Sequence, residues 1–178
     1  MHSIKIISLF LLFTLLGCEL DVSRHTYYNP YDLDANKVLG VFPPALIFSP
    51  RETDAKAGES ILIKVSLLEV TNVGGAHAQL TYDNTRLKIL DVKAGSFFGG
   101  NRPPLFLFED NDGTLDIYSS FLGLERTVSG SGDIAIVSVE IIGAGRYEIK
   151  YTEESELLNA EDLPIKLNGL GLGVINAK

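Results

Sequence analysis

The 178-residue chain contains no tryptophan, one cysteine, one methionine and three histidines. A single cysteine excludes an internal disulfide, and the few histidines form no cluster with the spacing of a zinc site, so we expect neither a metal nor another cofactor. Acidic residues outnumber basic ones 23 to 15, and the formal net charge is −8. This charge makes nucleic acid and anionic lipid headgroups poor partners.

The single cysteine, Cys18, follows a mostly apolar run over residues 6–17 that begins directly after Lys5. The run is about 12 residues long, whereas a membrane-spanning helix needs roughly 20. A cationic start, a short apolar stretch and a small residue before the cleavage point are the parts of a secretory signal. Residues 15–18, Leu-Leu-Gly-Cys, also resemble the bacterial lipobox, in which a peptidase cuts before a cysteine that carries a diacylglycerol.

The lipobox resemblance implies how the mature chain is held. We expect residues 1–17 to be removed as a signal peptide, and Cys18 to become a lipidated N-terminus that anchors the chain to the membrane of a bacterial cell envelope. Glu19 is not the aspartate that retains lipoproteins at the inner membrane of enteric-type bacteria, so the outer membrane or the cell surface is favoured. The alternative is an ordinary signal peptide that happens to contain a cysteine.

Residues 18–44 differ from the remainder of the chain, because turn formers and isolated aromatics occur there without a sustained period. Tyr-Tyr-Asn-Pro-Tyr-Asp at 27–32 and Val-Phe-Pro-Pro at 41–44 show this mixture. We interpret residues 18–44 as the lipidated N-terminus and a tether to a domain over residues 45–178. The aromatic side chains of this segment could instead pack back on the domain or dock on a neighbouring protein.

From Ala45 onward, short apolar or alternating stretches follow one another, separated by Gly, Asn and Asp turns. They predict nine strands, over residues 45–49, 61–68, 76–82, 87–92, 104–108, 114–122, 134–142, 147–151 and 172–175. Asp112-Gly113, between two of these stretches, is typical of a tight hairpin turn in which glycine adopts a positive φ. Because no long amphipathic helix occurs, the pattern predicts an all-β protein, an antiparallel β-sandwich.

Three ordered motifs in this region resemble the cohesin domain family. Gly-Gly-Ala-His-Ala-Gln-Leu-Thr-Tyr-Asp-Asn-Thr-Arg-Leu at 74–87 is similar to a glycine-led cohesin strand and its turn, with Asn84 where the family usually has proline. Val-Ser-Gly-Ser-Gly-Asp-Ile-Ala at 128–135 resembles the turn before the long seventh strand, and residues 157–165 resemble the segment before the last strand. The resemblance implies a nine-stranded jelly-roll β-sandwich that binds dockerin modules and shares its fold with several carbohydrate-binding modules.

The resemblance also implies which strands face the partner, namely residues 75–81, 104–108 and 114–122. If Ala76, Ala78 and Leu80 face the core, strand alternation turns the residues between them outward. The candidate partner-binding residues are the outward side chains of these strands: His77, Gln79, Thr81, Phe106, Phe108, Asp116, Tyr118 and Ser120. Either the two phenylalanines or Leu105 and Leu107 must be exposed or covered by a loop, and exposed phenylalanines are natural anchors.

We therefore expect a binding module, not an enzyme, that holds a dockerin-bearing or other exported protein at the cell envelope. Catalysis is disfavoured because Cys18 is lipidated, and only His25 and His77 lie outside the signal. The alternative function is a surface carbohydrate-binding lipoprotein that assists the capture or degradation of polysaccharide. Glycan surfaces of the flat kind most often use tryptophan, which the chain lacks.

Two further alternatives concern single residues. His77 is either a solvated strand residue or a pH-dependent contact. Asp110 and Asp112 lie in an acidic turn of the kind that binds calcium, but Phe108 and Ser119 occupy positions where an EF-hand loop needs acidic ligands. The turn is therefore better interpreted as part of a hairpin.

Overall fold

The structure is a computed structural model that describes residues 28–99, 103–122 and 126–178. The predicted signal peptide and Cys18 lie outside these residues. Within them the chain forms α1 (Leu33–Val38), β1 (Ala45–Ser49), β2 (Glu52–Ala55), β3 (Ser60–Val73), β4 (Gly75–Thr81), β5 (Leu87–Ala94), β6 (Leu105–Asn111), β7 (Thr114–Ser120), β8 (Val128–Ile141), β9 (Gly145–Tyr151), β10 (Glu156–Leu158), β11 (Pro164–Ile165), β12 (Gly169–Leu170) and β13 (Leu172–Ala177). No helix in the described ranges is long and apolar enough to cross a membrane.

The strands form two sheets that enclose one core. The first has five strands in the order β12-β1-β3-β8-β5. The second has eight, in the order β11-β10-β4-β9-β13-β2, with β7 paired to β4 and β6 paired to β7. Most pairs are antiparallel, whereas β1 with β12 and β2 with β13 are parallel. The predicted all-β sandwich is confirmed, and each of the nine predicted strands overlaps an observed one.

The strands that the sequence did not predict are short. β2, β10, β11 and β12 have two to four residues, too few for an alternating pattern to show. β3 and β8 are instead longer than predicted, at 14 residues each. β3 continues beyond Leu68 through irregular pairing with β8, where Glu69 and Asn72 have positive φ. Residues 128–135, whose motif resembles a turn before a long strand, are themselves part of β8.

Core packing buries every second side chain of β4 and turns the others to the outer side of the eight-stranded sheet. Along β4, buried side chains alternate with half-buried ones, and the buried set is Ala76, Ala78 and Leu80. Tyr151, at the end of β9, joins the two sheets. Its ring stacks on Phe48 with 4.3 Å between ring centres, and its hydroxyl donates to the Ile47 carbonyl at 2.8 Å. The buried Ala76, Ala78 and Leu80 of β4 confirm the alternation that the sequence predicts for residues 76–82.

Residues 28–44 pack against the outer side of the five-stranded sheet. Asp32 caps α1 by accepting a hydrogen bond from the Ala35 amide at 2.9 Å. Val41 is buried in a small apolar cluster with side chains of β1 and β3, and Tyr31 and Leu33 pack on that cluster. Within the predicted tether, Tyr31 therefore packs back on the domain, whereas Tyr28 and Phe42 are more than half exposed. The domain boundaries stay a prediction. Residues 18–27 lie outside the described residues.

Asp133 of β8 fixes this N-terminal segment to the sheet. Its carboxylate accepts hydrogen bonds from the Tyr31 and Ser66 hydroxyls at 2.6 and 2.8 Å, and from the Lys64 ammonium group at 2.7 Å. Burial raises the pKa of Asp133, but the three donors outweigh it and hold the pKa below its usual value. Burial and the hydrogen bond to Asp133 raise the pKa of Tyr31 to about 12.

Candidate binding face

The β6–β7 hairpin supplies two of the three strands of the candidate face. A two-residue turn joins the strands, and Asn111 pairs with Thr114 on either side of it. Asp112 and Gly113 have φ values of 45° and 96°, which are typical of the primed turns that suit hairpins. The Gly113 carbonyl accepts a hydrogen bond from the Tyr82 amide at 2.9 Å. The predicted hairpin turn is confirmed.

Strand register places four rows of outward residues across β4, β7 and β6. Directly opposed residues of antiparallel strands point to the same side of a sheet. Because alternate residues of β4 are buried, the residues between them and their partners face outward. The rows are Gly75–Ser120–Leu105, His77–Tyr118–Leu107, Gln79–Asp116–Glu109 and Thr81–Thr114–Asn111. We call these twelve residues the β4–β7–β6 face.

A chain of hydrogen bonds links side chains in the middle of the β4–β7–β6 face. Asp116 Oδ1 lies 2.7 Å from His77 Nε2 and accepts a hydrogen bond from Gln79 Nε2 at 2.9 Å. Gln79 Oε1 in turn accepts from the Thr152 hydroxyl at 2.7 Å. The side chains of His77 and Asp116 are only 16% and 15% exposed. Their positions are therefore set within the domain, which reduces the entropy that binding costs.

Tyr118 projects from the centre of the face and is 44% exposed. Its ring stacks on His77, with ring centres 4.3 Å apart and planes 5° from parallel. Partial removal from water, and then the negative charges of Asp116, Glu109 and Glu156, raise the pKa of its hydroxyl. The protonated phenol is an aromatic anchor that can also donate a hydrogen bond.

The structure places Leu105 and Leu107, not the two phenylalanines, on the β4–β7–β6 face. The leucines are 42% and 57% exposed and stand opposite Ser120 and Tyr118. Phe106 is partly buried against the core, opposite buried Ser119. Phe108 is on that same inner side of the sheet, although it is 47% exposed because β6 is a sheet edge. The prediction that Phe106 and Phe108 belong to the face is therefore wrong.

Carboxylates border the exposed apolar side chains of the face, which are Leu105, Leu107 and Tyr118. Glu109 and Asp116 form the next row after Leu107 and Tyr118. On the other edge of β4, Glu156 of β10 stands opposite His77. The face therefore suits a partner that offers apolar side chains at its centre and donor or basic groups around them.

The surroundings of Asp110 and Asp112 differ from those of the carboxylates in a calcium-binding loop. The Asp110 carboxylate accepts a hydrogen bond from the Tyr82 hydroxyl at 2.6 Å. Asp112 occupies the first position of the hairpin turn. Within the described ranges, no group of three or more His, Cys, Asp or Glu side chains could hold a metal ion.

Comparison with protein families connects this geometry to a known class. The family model of the cohesin domain matches residues 48–166. The chain belongs to the cohesin family. Comparison with functionally curated proteins finds no match.

Solved cohesin structures share the fold at low sequence identity. A non-cellulosomal cohesin from the hyperthermophilic archaeon Archaeoglobus fulgidus has a TM-score of 0.61 and 17% identity, over 75% of this chain and 88% of that one. A type II cohesin domain from the cellulosome of Acetivibrio cellulolyticus has a TM-score of 0.64 and 15% identity, over 74% and 93%. A type I cohesin in complex with a dockerin, from Clostridium thermocellum, has a TM-score of 0.61 and 18% identity, over 75% and 98%.

Six of the eight predicted site residues of this cohesin lie together on the β4–β7–β6 face: His77, Gln79, Thr81, Asp116, Tyr118 and Ser120. Sequence reasoning missed Glu156, because its strand has only three residues. It named Phe106 and Phe108 in place of Leu105 and Leu107, because apolar residues occupy consecutive positions of β6 and the pattern alone does not choose between them. The turn contained the missing signal: if Asp112-Gly113 is a two-residue loop, the fifth residues on its two sides, Leu107 and Tyr118, are paired.

Proposed function

We propose that this cohesin binds a dockerin-like module of another exported protein through the β4–β7–β6 face and holds that protein at the cell envelope. The row His77–Tyr118–Leu107 carries the proposal, since it combines a stacked aromatic anchor with an exposed apolar side chain on a rigid sheet. Central aromatic and apolar anchors beside fixed polar groups are the usual composition of an energetic centre of binding. The similar cohesin from Clostridium thermocellum, solved with a dockerin, supports this class of partner.

Binding and not catalysis is the role that the described side chains support. The imidazole of His77 stacks on Tyr118 and contacts the Asp116 carboxylate. A nucleophile needs a base within hydrogen-bonding reach, and the groups around His77 are an aromatic ring and a carboxylate. The arrangement fixes the positions of surface side chains and does not activate a hydroxyl group as a nucleophile.

A protein partner is better supported than a glycan. Among the twelve residues of the β4–β7–β6 face, Tyr118 is the single Phe, Tyr or Trp, and the imidazole of His77 already covers part of its ring. Flat glycan-binding surfaces stack several sugar rings on aromatic side chains, and one half-covered ring provides little stacking area. Affinity electrophoresis of the protein in cellulose or xylan gels tests the glycan alternative, and we expect no retardation.

Export and anchoring complete the proposal. We infer that residues 1–17 are a signal peptide and that acyl chains on Cys18 hold the domain at the outer membrane or the cell surface. Lys5, the apolar run over 6–17 and the Leu-Leu-Gly-Cys sequence at 15–18 support this inference. Two or three acyl chains suffice for stable anchoring, at about 0.8 kcal/mol for each buried methylene.

Calorimetric titration with the dockerin-bearing proteins of the source organism tests the partner and the face together. We expect Leu107→Asp to weaken the Kd about 30-fold or more, equivalent to about 2 kcal/mol, because it places a charge at an anchor of the binding centre. Leu62→Asp is the matched control, since Leu62 is a 62% exposed leucine on β3 of the other sheet. We expect its Kd to equal that of the unmodified protein.

Two results would contradict the proposal. If no dockerin-bearing protein binds the unmodified chain, the class of partner is wrong. If Leu107→Asp and Leu62→Asp change the Kd equally, the partner uses another surface than the β4–β7–β6 face.

A further inference from the structure

A second exposed apolar surface lies where the N-terminal segment enters the domain. It consists of Tyr28, Val38, Leu39, Phe42 and Leu170, which are 53%, 86%, 46%, 51% and 40% exposed. We call these five residues the N-terminal patch. Single exposed apolar residues are common, but a group of this size marks an interaction surface.

The five residues are neighbours in space. Tyr28, Leu39 and Leu170 line one cavity of about 200 Å³. Val38 precedes Leu39 in the chain. The Phe42 backbone approaches Gly169 so closely that a Cβ on that glycine would lie 2.9 Å from the Phe42 nitrogen, which places Phe42 next to β12, beside the residue that precedes Leu170.

The patch is held firmly on the domain. The Tyr31 hydroxyl bonds to Asp133 at 2.6 Å, and the Asn168 side-chain amide donates to the Pro43 carbonyl at 2.9 Å. The exposed Val38 and Leu39 follow directly from α1, whose residue Asn36 is buried and donates to two carbonyls. These contacts hold the N-terminal segment in place on the domain. The side chains of the N-terminal patch are therefore exposed to water in the folded state.

The number of residues between Cys18 and the N-terminal patch limits how far the patch can lie from a lipid on Cys18. Cys18 and Tyr28 are ten residues apart, and an extended chain spans at most about 3.6 Å per residue, so they lie within about 36 Å of each other. A lipid on Cys18 therefore brings the patch close to the bilayer that receives the acyl chains. Charge is balanced there, since Asp32 and Asp34 are matched by Lys37 and by Arg51, which lines the cavity, and Lys37 Nζ lies 3.5 Å from Asp34 Oδ1. An uncharged or zwitterionic lipid surface meets no net repulsion at such a site.

We propose that the N-terminal patch is a membrane-docking surface that rests in the headgroup region of the bilayer to which Cys18 is anchored. The proposal rests on the lipid anchoring that is part of the proposed function. Its occupant is a zwitterionic lipid surface, because apolar side chains gain by leaving water and the acidic domain disfavours anionic lipid. Four of the five residues belong to the segment that packs on the outer side of the five-stranded sheet, and Leu170 lies at the edge of that sheet, whereas the β4–β7–β6 face is the outer side of the other sheet. Docking therefore turns the binding face away from the membrane.

Site-specific fluorescence on the mature lipidated chain tests this orientation. Acylation blocks Cys18, so a cysteine introduced by Val38→Cys is the one thiol available to an environment-sensitive dye such as NBD. In phosphatidylcholine vesicles we expect its emission to move to shorter wavelength and to be quenched by brominated lipid. The same dye on Leu107→Cys, a 57% exposed position on the opposite face, is expected to show neither change.

Flotation of the vesicles distinguishes a failure of the lipid anchoring from a failure of the docking surface. If the chain floats and the dye at residue 38 behaves like the dye at residue 107, anchoring stands and the docking surface is overturned. If the chain does not float, the anchoring is wrong and the docking surface falls with it. As a further check, Leu39→Asp with Phe42→Asp in the Val38→Cys chain is expected to abolish the spectral shift while flotation persists; an unchanged shift would contradict docking through the patch.

Discussion

Asp133 shows how one carboxylate can join distant parts of the chain. Its oxygens accept from Tyr31, Ser66 and Lys64, which belong to the N-terminal segment and to β3. The lowered pKa of Asp133 means that the folded state favours the charged form, so this carboxylate stabilises the fold above its ordinary pKa of 3.8. That contribution is lost as the pH falls through the lower pKa of the folded state.

At the residue scale, we predict that Tyr31→Phe lowers the free energy of unfolding by about 1 kcal/mol at pH 7. A hydrogen bond to a charged acceptor is worth about 1.5–3 kcal/mol, and less where the group is half exposed. Because the pKa of Tyr31 rises from 10.0 to about 12 on folding, its stabilisation is complete below pH 10.0 and is lost as the pH rises through about 12.

Denaturant unfolding at several pH values between 7 and 12 measures the effect. The difference between the unmodified protein and Tyr31→Phe is expected to shrink across the alkaline part of this range. Tyr28→Phe is the matched control, since Tyr28 is 53% exposed and accepts a long hydrogen bond of 3.2 Å from the Arg51 amide. A constant difference over the whole range would contradict the assignment of the Tyr31–Asp133 bond.

The β6–β7 hairpin is the element on which the candidate face depends. Its two-residue turn sets the register of β6 on β7, and that register decides which side chains point outward. Gly113 has φ of 96°, and a Cβ on it would lie 2.9 Å from the Tyr82 carbonyl oxygen. Both the backbone conformation and the space at this position therefore require glycine.

At the element scale, we predict that Gly113→Ala destabilises the domain by about 1–3 kcal/mol and also weakens partner binding, because strain in the turn disturbs the register of β6. Gly75→Ala is the control: its backbone is extended, and a Cβ there would meet the Ser120 Cβ at 3.4 Å, an ordinary contact. We expect Gly75→Ala to leave the melting temperature nearly unchanged. Equal melting temperatures for the two variants would contradict the importance of the turn.

The sequence predicted elements well where two signals agreed. On β4, polar and apolar residues alternate and a turn comes next, so both the strand and its outward residues were predictable. On β6, Leu-Phe-Leu-Phe offers apolar residues to both sides of the sheet, and pattern alone cannot choose between them. β10 is too short to show a pattern, and its position depends on pairing with β4 across about 80 residues of sequence. Contacts of that range are decided by packing in the whole fold.

At the scale of the whole molecule, the N-terminal segment and the candidate binding face lie on different sheets of the sandwich. The N-terminal segment packs on part of the outer side of the five-stranded sheet, and the β4–β7–β6 face belongs to the other sheet. An anchor at the N-terminus is therefore compatible with a partner bound on the far side. We therefore expect changes at Cys18 to leave the candidate binding face intact.

We predict that Cys18→Ser abolishes acylation and releases the protein from the membrane fraction while its partner affinity stays unchanged. Serine lacks the thiol that receives the diacylglycerol, and Cys18 is the single cysteine of the chain. Metabolic labelling with radioactive palmitate, followed by fractionation and titration of the purified protein, measures all three properties. Label retained by the variant, or an unmodified chain that takes up no label, would show that the lipobox assignment is wrong.

The parallel pairing of β12 with β1 and of β13 with β2 has a consequence for the timing of folding. Ala45 pairs with Gly169 and Glu52 with Val174, so both pairs join residues more than 120 positions apart. Neither sheet is complete until these late segments have been synthesised, and closing such long loops slows the formation of the native state. We therefore expect the domain to complete its fold only after synthesis of these segments, which suits the export that we propose, since a secretion channel accepts an unfolded chain.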